Sequence, residues 1–193
     1  MMSCWIVIPI KAPEACKTRL MPALGDTERQ ALVATMLGRT VEAARAVIGR
    51  DQVLLLGPSR HGLAEDTPLL RDPGGGLNPA LTSARDAAIR AGVDRLLLLS
   101  ADLPTVSAQD VAALLEIPAE AMAGAPDCAG LGTNALSLPL PRASGFRFHY
   151  GEGSFAAHRA EAARLDLPFL CIDRPGLGLD IDRPDEIALW RQD

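Results

Sequence analysis

Three stretches of the chain are apolar at every position: residues 5–8, 53–56 and 96–99. Runs of strand length without polar alternation are expected where a sheet is covered on both faces. Between the first two runs the period changes. Val33, Leu37, Val41, Ala44 and Ile48 fall on one stripe of a helix predicted over 27–48, with Thr27 and Gln30 as its capping box. A second helix is predicted over 78–91, with Asn78 as cap and Pro79 at its first position. A third runs over 107–115, where Ser107 and Asp110 repeat the capping-box pattern. Residues 120–150 break this rhythm into short strands and loops rich in Gly and Pro. They are read as a smaller lobe that extends the sheet and completes a site. A helix over 154–165, a strand over 169–172, a loop over 173–183 and a terminal helix entered at Pro184 follow. Strands alternating with helices predict an α/β fold with a mostly parallel sheet flanked by helices. A length of 193 residues suits a single domain spanning 1–193.

Composition narrows the function classes. With 48% hydrophobic and 22% charged residues, the chain is not of a disordered type. Nineteen Lys and Arg against 24 Asp and Glu give a net charge of -5, without a long basic run, so a general nucleic-acid binder is not expected. Locally the sign reverses: Lys11, Lys17 and Arg19 face only Glu14 within residues 1–25. Cys4, Cys16, Cys128 and Cys171 are dispersed, with no CxxC spacing, which argues against a zinc site. The first residues carry no basic leader before Pro9, and no apolar run approaches the roughly 18 residues that span a bilayer. A cytoplasmic protein with reduced thiols and no membrane partner is the expectation.

Several residue groups have chemical potential. Asp102 stands just past the C-terminal end of the 96–99 strand, where open α/β sheets place their ligand crevice, and is a candidate metal ligand. It could equally cap a turn ahead of Pro104. Asp180 and Asp182 are two residues apart and share a face if the segment is extended. With Asp102 they would form an all-oxygen set suited to Mg²⁺, whereas Asp182 alone could simply support the start of a helix. The loop from Pro9 through Lys11, Cys16, Lys17 and Arg19 to Leu20 lacks the glycines of a Walker A loop. Phosphate binding there would rest on Lys17, Arg19 and backbone donors; the alternative is a solvated surface. Gly74, Gly75 and Gly76, before Leu77 and Asn78, permit close approach of a base or ribose, or form a flexible loop. Thr133-Asn134 is one polar element. Gly151-Glu152-Gly153-Ser154 is another, and it opens a helix whose N–H groups suit an anion. Phe146, Phe148, Tyr150 and Phe155 surround it as pocket wall or as core. His149 and His158 receive no role.

Taken together, these motifs resemble the CofC/FbiD guanylyltransferases of coenzyme F420 biosynthesis. The resemblance rests on Pro9-Ile10-Lys11 leading to Lys17-Thr18-Arg19-Leu20, Gly76-Leu77-Asn78 and Ser100-Ala101-Asp102-Leu103-Pro104. It continues in Gly132-Thr133-Asn134-Ala135-Leu136, Gly151-Glu152-Gly153-Ser154-Phe155 and Leu179-Asp180-Ile181-Asp182. It covers nearly the whole chain in order. It implies a Rossmann-like nucleotidyltransferase fold and condensation of GTP with a phosphorylated acid, releasing pyrophosphate. The acid is 2-phospho-L-lactate, phosphoenolpyruvate or 3-phosphoglycerate in different members. Carried over by resemblance, Asp102, Asp180 and Asp182 hold Mg²⁺, and Thr133, Gly151 and Ser154 hold the acid. Pro9, Lys11, Lys17, Gly76 and Asn78 bind the nucleotide, and Asp102, Lys17 and Arg19 act in catalysis. The resemblance also admits a homodimer. Glu152 and Cys16 stand where uncharged residues and Ala are common. The other readings are a nucleotidyltransferase of a molybdenum-cofactor or sugar-phosphate acceptor, and a catalytically silent nucleotide-binding module.

Overall fold

The computed structural model describes residues 3–181 and Glu186. Among them seven strands form one sheet: β1 (Cys4–Pro9), β2 (Val53–Gly57), β3 (Leu69–Arg71), β4 (Arg95–Leu99), β5 (Met122–Pro126), β6 (Thr133–Pro139) and β7 (Phe169–Cys171). The helices are α1 (Asp26–Ile48), α2 (Leu77–Arg90), α3 (Ala108–Ala113), α4 (Ser154–Arg164) and the single turn α5 (Pro175–Gly178). The strand order is β3-β2-β1-β4-β6-β5-β7, and every pairing is parallel except those of β6 with β4 and β5. The mostly parallel sheet expected from the apolar runs is therefore present, with one antiparallel strand inside it.

Strand alternation divides the core between the two faces. Ile6, Ile8, Leu55, Leu97 and Leu99 meet the α1 stripe and Val111 and Leu114 at α3. Val7, Leu54, Leu56, Leu96 and Leu98 meet Ala80, Leu81, Ala84 and Ala88 of α2, together with Phe146 and Ala162. Full burial of each large aliphatic side chain is worth about 1.5–3 kcal/mol, which is why the runs 5–8, 53–56 and 96–99 are apolar throughout. No helix among the described residues is long and apolar enough to cross a membrane.

The helix caps follow the sequence only in part. Ser107 and Asp110 form the expected box: Ser107 Oγ accepts from Asp110 N at 3.3 Å and Ser107 N donates to Asp110 Oδ2 at 3.0 Å. The Thr27–Gln30 box is not made. α1 begins one residue earlier, behind Gly25, whose N–H donates to Glu28 Oε2 at 3.1 Å. Asn78 does not cap α2 either. Gly76 is the cap residue and Asn78 lies inside the first turn, with Pro79 after it, where an absent N–H still costs no helical hydrogen bond. The 173–183 loop contains the α5 turn, and the helix expected from Pro184 lies outside the described residues.

Residues 120–150 contribute sheet interior. β6 is buried at all seven positions and pairs with β4 through Leu99↔Ala135, while β5 lies between β6 and β7. Fully buried Arg95 fastens this half of the sheet. Its guanidinium donates to the carbonyls of Pro118, Ala119 and Ala121 at 2.9–3.2 Å and to Ser137 Oγ at 2.9 Å. Replacing it by an apolar side chain of similar length strands those carbonyls without donors. Arg95→Met is expected to lower the unfolding free energy by roughly 3 kcal/mol, read as a shift in urea midpoint with an unchanged m-value.

The topology also fixes where a ligand can bind. From β1 the chain runs outward to β2 and β3, then returns through α2 to place β4 on the other side of β1. A crevice forms outside the carboxyl ends of two strands whose connections leave in opposite directions.

Candidate active site

The segments leaving β1 and β4 form that crevice. Pro9, Ile10 and Lys11 from β1 and Ser100, Ala101 and Asp102 from β4 line a cavity of about 300 Å³, closed by Cys16, Lys17, Met36 and Leu77. Within it, the Lys17 ammonium pairs with Asp102 Oδ2, and the lysine side chain is only 8% exposed. The second carboxylate oxygen, Asp102 Oδ1, is buried and has no hydrogen-bond partner among the described residues. A buried acceptor left open in this way is costly unless a ligand completes it.

The loop carrying Lys17 is held in an unfavourable form. Lys17 has φ 51°, in the left-handed region, which costs a non-glycine residue of order 1 kcal/mol. Buried Arg29 of α1 compensates by donating to the carbonyls of Pro13 and Cys16 and to Asp26 Oδ1. The Cys16 thiol donates to Lys11 O at 3.4 Å, and burial pushes that thiol up. Gly57, at the end of β2, lets the loop pass: a Cβ there would lie 2.3 Å from Ile10 O. Lys11 and Arg19 are exposed on the same loop.

A wider cleft of about 1030 Å³ lies at the ends of β2 and β3, lined by Ala12, Gly57, Ser59, Arg60, Arg71, Asp72 and Gly74. Gly74, Gly75 and Gly76 all take positive φ between this cleft and Leu77. Asn78 turns the other way. Its amide donates to Tyr150 O at 3.1 Å and accepts from Tyr150 N at 2.8 Å, clasping the start of α2 to the 146–150 segment.

The late acidic segment comes back towards the first cavity. Asn134 Nδ2 donates to Leu177 O at 2.9 Å, while Asn134 O accepts from Ser100 N at 2.9 Å. Ile181, fully buried, packs with Leu20, Leu32 and Met36, and Met36 lines the cavity. Asp180, next to Ile181, is half-buried, while Asp182 lies outside the described residues. The described residues alone contain no group of three His, Cys, Asp or Glu that could hold a metal ion.

A second constellation lies past the β4–β6 pairing. Ser154 Oγ lies 3.1 Å from Thr133 Oγ1, which lies 3.0 Å from His158 Nδ1, and all three side chains are buried. Gly151 and Glu152 are exposed on the turn ahead of α4.

Comparison with known proteins places this architecture. Residues 4–189 match the family described as "Guanylyl transferase CofC like". The chain belongs to the CofC-like guanylyltransferase family. It is 39% identical over 193 residues to the phosphoenolpyruvate guanylyltransferase of Rubrobacter xylanophilus, covering 97% of this chain and 93% of that one. It is 32% identical over 192 residues to the 3-phospho-D-glycerate guanylyltransferase of Colwellia psychrerythraea, covering 95% and 89%. A solved nucleotidyl transferase from Methanothermobacter thermautotroptrophicus shares the fold, with TM-score 0.68 at 17% identity over 98% of this chain and 96% of that one.

In this CofC-like guanylyltransferase, Pro9, Lys11, Lys17 and Asp102 meet in one cavity, with Gly76 and Asn78 flanking its Leu77 wall. Thr133 and Ser154 touch each other under the Gly151 turn. Arg19 is exposed and lies outside the cavity lining. Phe146, Phe148 and Phe155 are buried, at 0%, 6% and 8% exposure, and the first two pack into the core on the α2 side of the sheet.

Two positions carry more than the sequence reading gave them, Arg29 having gone unremarked and His158 having received no role. Arg29 begins the apolar stripe of α1 one turn before Val33, a charge on a buried face. His158 sits four residues after Ser154, on the same side of α4. It is fully buried, accepts from His149 N at Nε2 (3.0 Å), and makes an edge-on ring contact with Tyr150 at 4.8 Å. Burial, reinforced by His149 and opposed by Glu161, lowers its pKa from 6.5 to about 4.

The sign of the pH effect follows. The folded state binds the His158 proton less readily than the unfolded chain, so this stabilisation is complete above about pH 6.5 and is lost as the pH falls through about 4. Between pH 7 and pH 4, wild type is expected to lose roughly 3 kcal/mol more unfolding free energy than His158→Asn, measured by urea denaturation at each pH.

Proposed function

We propose that the protein joins GTP to phosphoenolpyruvate, releasing pyrophosphate, as a step of coenzyme F420 biosynthesis. The observation that carries this reading is the half-buried Lys17–Asp102 pair with one carboxylate oxygen left open among the described residues, at the carboxyl ends of β1 and β4. The reading of the acid draws on relatives at 35–39% identity that are named phosphoenolpyruvate guanylyltransferases, with the 3-phosphoglycerate enzyme at 32%.

The reaction is attack of a phosphate oxygen of the acid on the α-phosphorus of GTP. A new P–O bond forms, and the bond to the β-phosphate breaks, with its electron pair leaving on pyrophosphate. The nucleophile requires little activation, because a phosphomonoester with a second pKa near roughly 6 is largely dianionic at neutral pH. No histidine lines the cavity among the described residues, in keeping with an attack that needs no general base. What the chain must supply is charge neutralisation and alignment for two mutually repelling anions.

Lys17 supplies one charge, exchanging Asp102 for a triphosphate oxygen when the nucleotide enters. The wider cleft, with Arg60, Arg71, Asp72 and the Gly74–Gly76 turn, suits the guanosine moiety. Asp102 and Asp180 suit Mg²⁺ by donor chemistry: both offer hard carboxylate oxygens, and one oxygen of Asp102 has no partner among the described residues. Asp182 would add a third. Bound Mg²⁺ would neutralise phosphate charge and stabilise the departing pyrophosphate. The acid would lie against Thr133, Ser154 and Gly151, with the N-terminus of α4 facing its anionic oxygens. Exposed Glu152 projects from the turn rather than from this buried hydroxyl pair.

Asp102→Asn keeps the size of the side chain and removes its charge. It is expected to lower turnover at least ~100-fold, assayed as pyrophosphate release with Mg²⁺ present. Near-normal turnover would remove Asp102 from the reaction. A matrix of four nucleoside triphosphates against phosphoenolpyruvate, 3-phosphoglycerate and 2-phospho-L-lactate tests the substrate reading. The expected maximum is GTP with phosphoenolpyruvate. A maximum with another acid reassigns the acceptor, and nucleotide binding without product in any well would point to a silent binding module.

A further inference from the structure

We infer that His158 is a positioning residue for the acceptor: it sets the hydrogen-bond direction along His158–Thr133–Ser154 so that one hydroxyl proton remains to be donated to an anionic oxygen of the phosphorylated acid. The inference rests on the acceptor assignment proposed above and deepens it.

The argument is a count of protons. The backbone N–H of His149 donates to His158 Nε2 at 3.0 Å, and a backbone amide cannot accept in return. A neutral imidazole whose Nε2 accepts must carry its proton on Nδ1. Nδ1–H therefore donates to Thr133 Oγ1 at 3.0 Å. The Thr133–Ser154 contact, 3.1 Å long, consumes one of the two hydroxyl protons. The other has no acceptor among the described residues, although Thr133 and Ser154 are only 6% and 1% exposed. A buried hydroxyl proton without an acceptor is a poor resting arrangement and a good binding one, since an anionic oxygen there gains a charge-assisted hydrogen bond.

Direction matters because the opposite polarity would spoil the site. If position 158 offered an acceptor to Thr133, the hydroxyl protons would be drawn inward and two lone pairs would face an anion. The same ring is held by Phe146, at 5.7 Å between centroids, and by Tyr150, so the imidazole cannot turn without disturbing the core. The residues around it that carry or can acquire charge are His149, Glu161, Arg147 and Arg164. Glu161 is engaged with Arg164 and with the Arg147 amide, and so does not compete for Nδ1.

Two substitutions separate this role from simple support of the 146–150 segment. His158→Asn places an amide donor where Nδ1 was and gives up the contact to His149. His158→Gln reaches the His149 N–H and gives up the donor to Thr133. The expected result is a KM for the acid raised about 10- to 100-fold in His158→Gln and within about threefold of wild type in His158→Asn, with the KM for GTP little changed in both. A merely structural role predicts the reverse order, or equal changes for both substrates, and either result overturns the inference. So does a wild-type acid KM in His158→Gln alone. Nitrogen-15 NMR of histidine-labelled wild type gives a readout independent of turnover: His158 is expected as the Nδ1–H tautomer at pH 7, and an Nε2–H tautomer overturns the inference. Inactive wild type across all three acids, with the Nδ1–H tautomer present, would instead locate the failure in the acceptor assignment.

Discussion

The ion pair between Lys17 and Asp102 joins residues 85 positions apart and sits at the floor of the crevice. Much of the surrounding architecture can be understood as the means of holding it. A reaction between a triphosphate and a phosphorylated acid is opposed by charge, so an ammonium and a carboxylate must be near one another but not wholly consumed by each other. One carboxylate oxygen takes the lysine and the other stays open. The price is a left-handed lysine and a buried, unmatched acceptor, both of which the rest of the loop must tolerate.

The fold meets that demand with buried arginines that bond mainly to carbonyls. Arg29 grips the loop through the Pro13 and Cys16 carbonyls, and Arg95 grips the sheet through three others. A guanidinium satisfied largely by backbone oxygen stabilises a connection without offering a strong carboxylate rival to the pair in the cavity. The thiol of Cys16 and the missing side chain of Gly57 serve the same loop from its other sides.

Around Thr133 the buried polar side chains are neutral: two hydroxyls and an imidazole kept uncharged by burial, beside the N-terminus of α4. Neutral donors can orient an anion without holding it as tightly as a full cation would, which is what the proposed acceptor role asks of them. The two sides are mechanically connected. Asn134 links the end of β4 to the α5 turn, and Asn78 links the start of α2 to Tyr150. Asn78 does not cap α2; its amide instead bonds both backbone groups of Tyr150 and joins the two halves.

The hydrophobic pattern by itself determined the central strands, the stripe of α1, the Ser107–Asp110 cap and the parallel character of the sheet, because each depends on neighbours within a few residues and on a period set by backbone geometry. Motif order likewise pointed to Lys17 and Asp102, and to Thr133 and Ser154, which the fold brings together as two contacting pairs. The tertiary structure alone decided that 120–150 enters the sheet as two strands, one of them antiparallel, since Ala- and Gly-rich segments such as 122–126 carry little periodic signal and their place is fixed by partners far away. It also decided the work of Arg29, Asn78 and His158. A polar side chain has several ways to satisfy its hydrogen bonds, and only the folded chain, by bringing Cys16, Tyr150 and Thr133 within reach of these three, selects one.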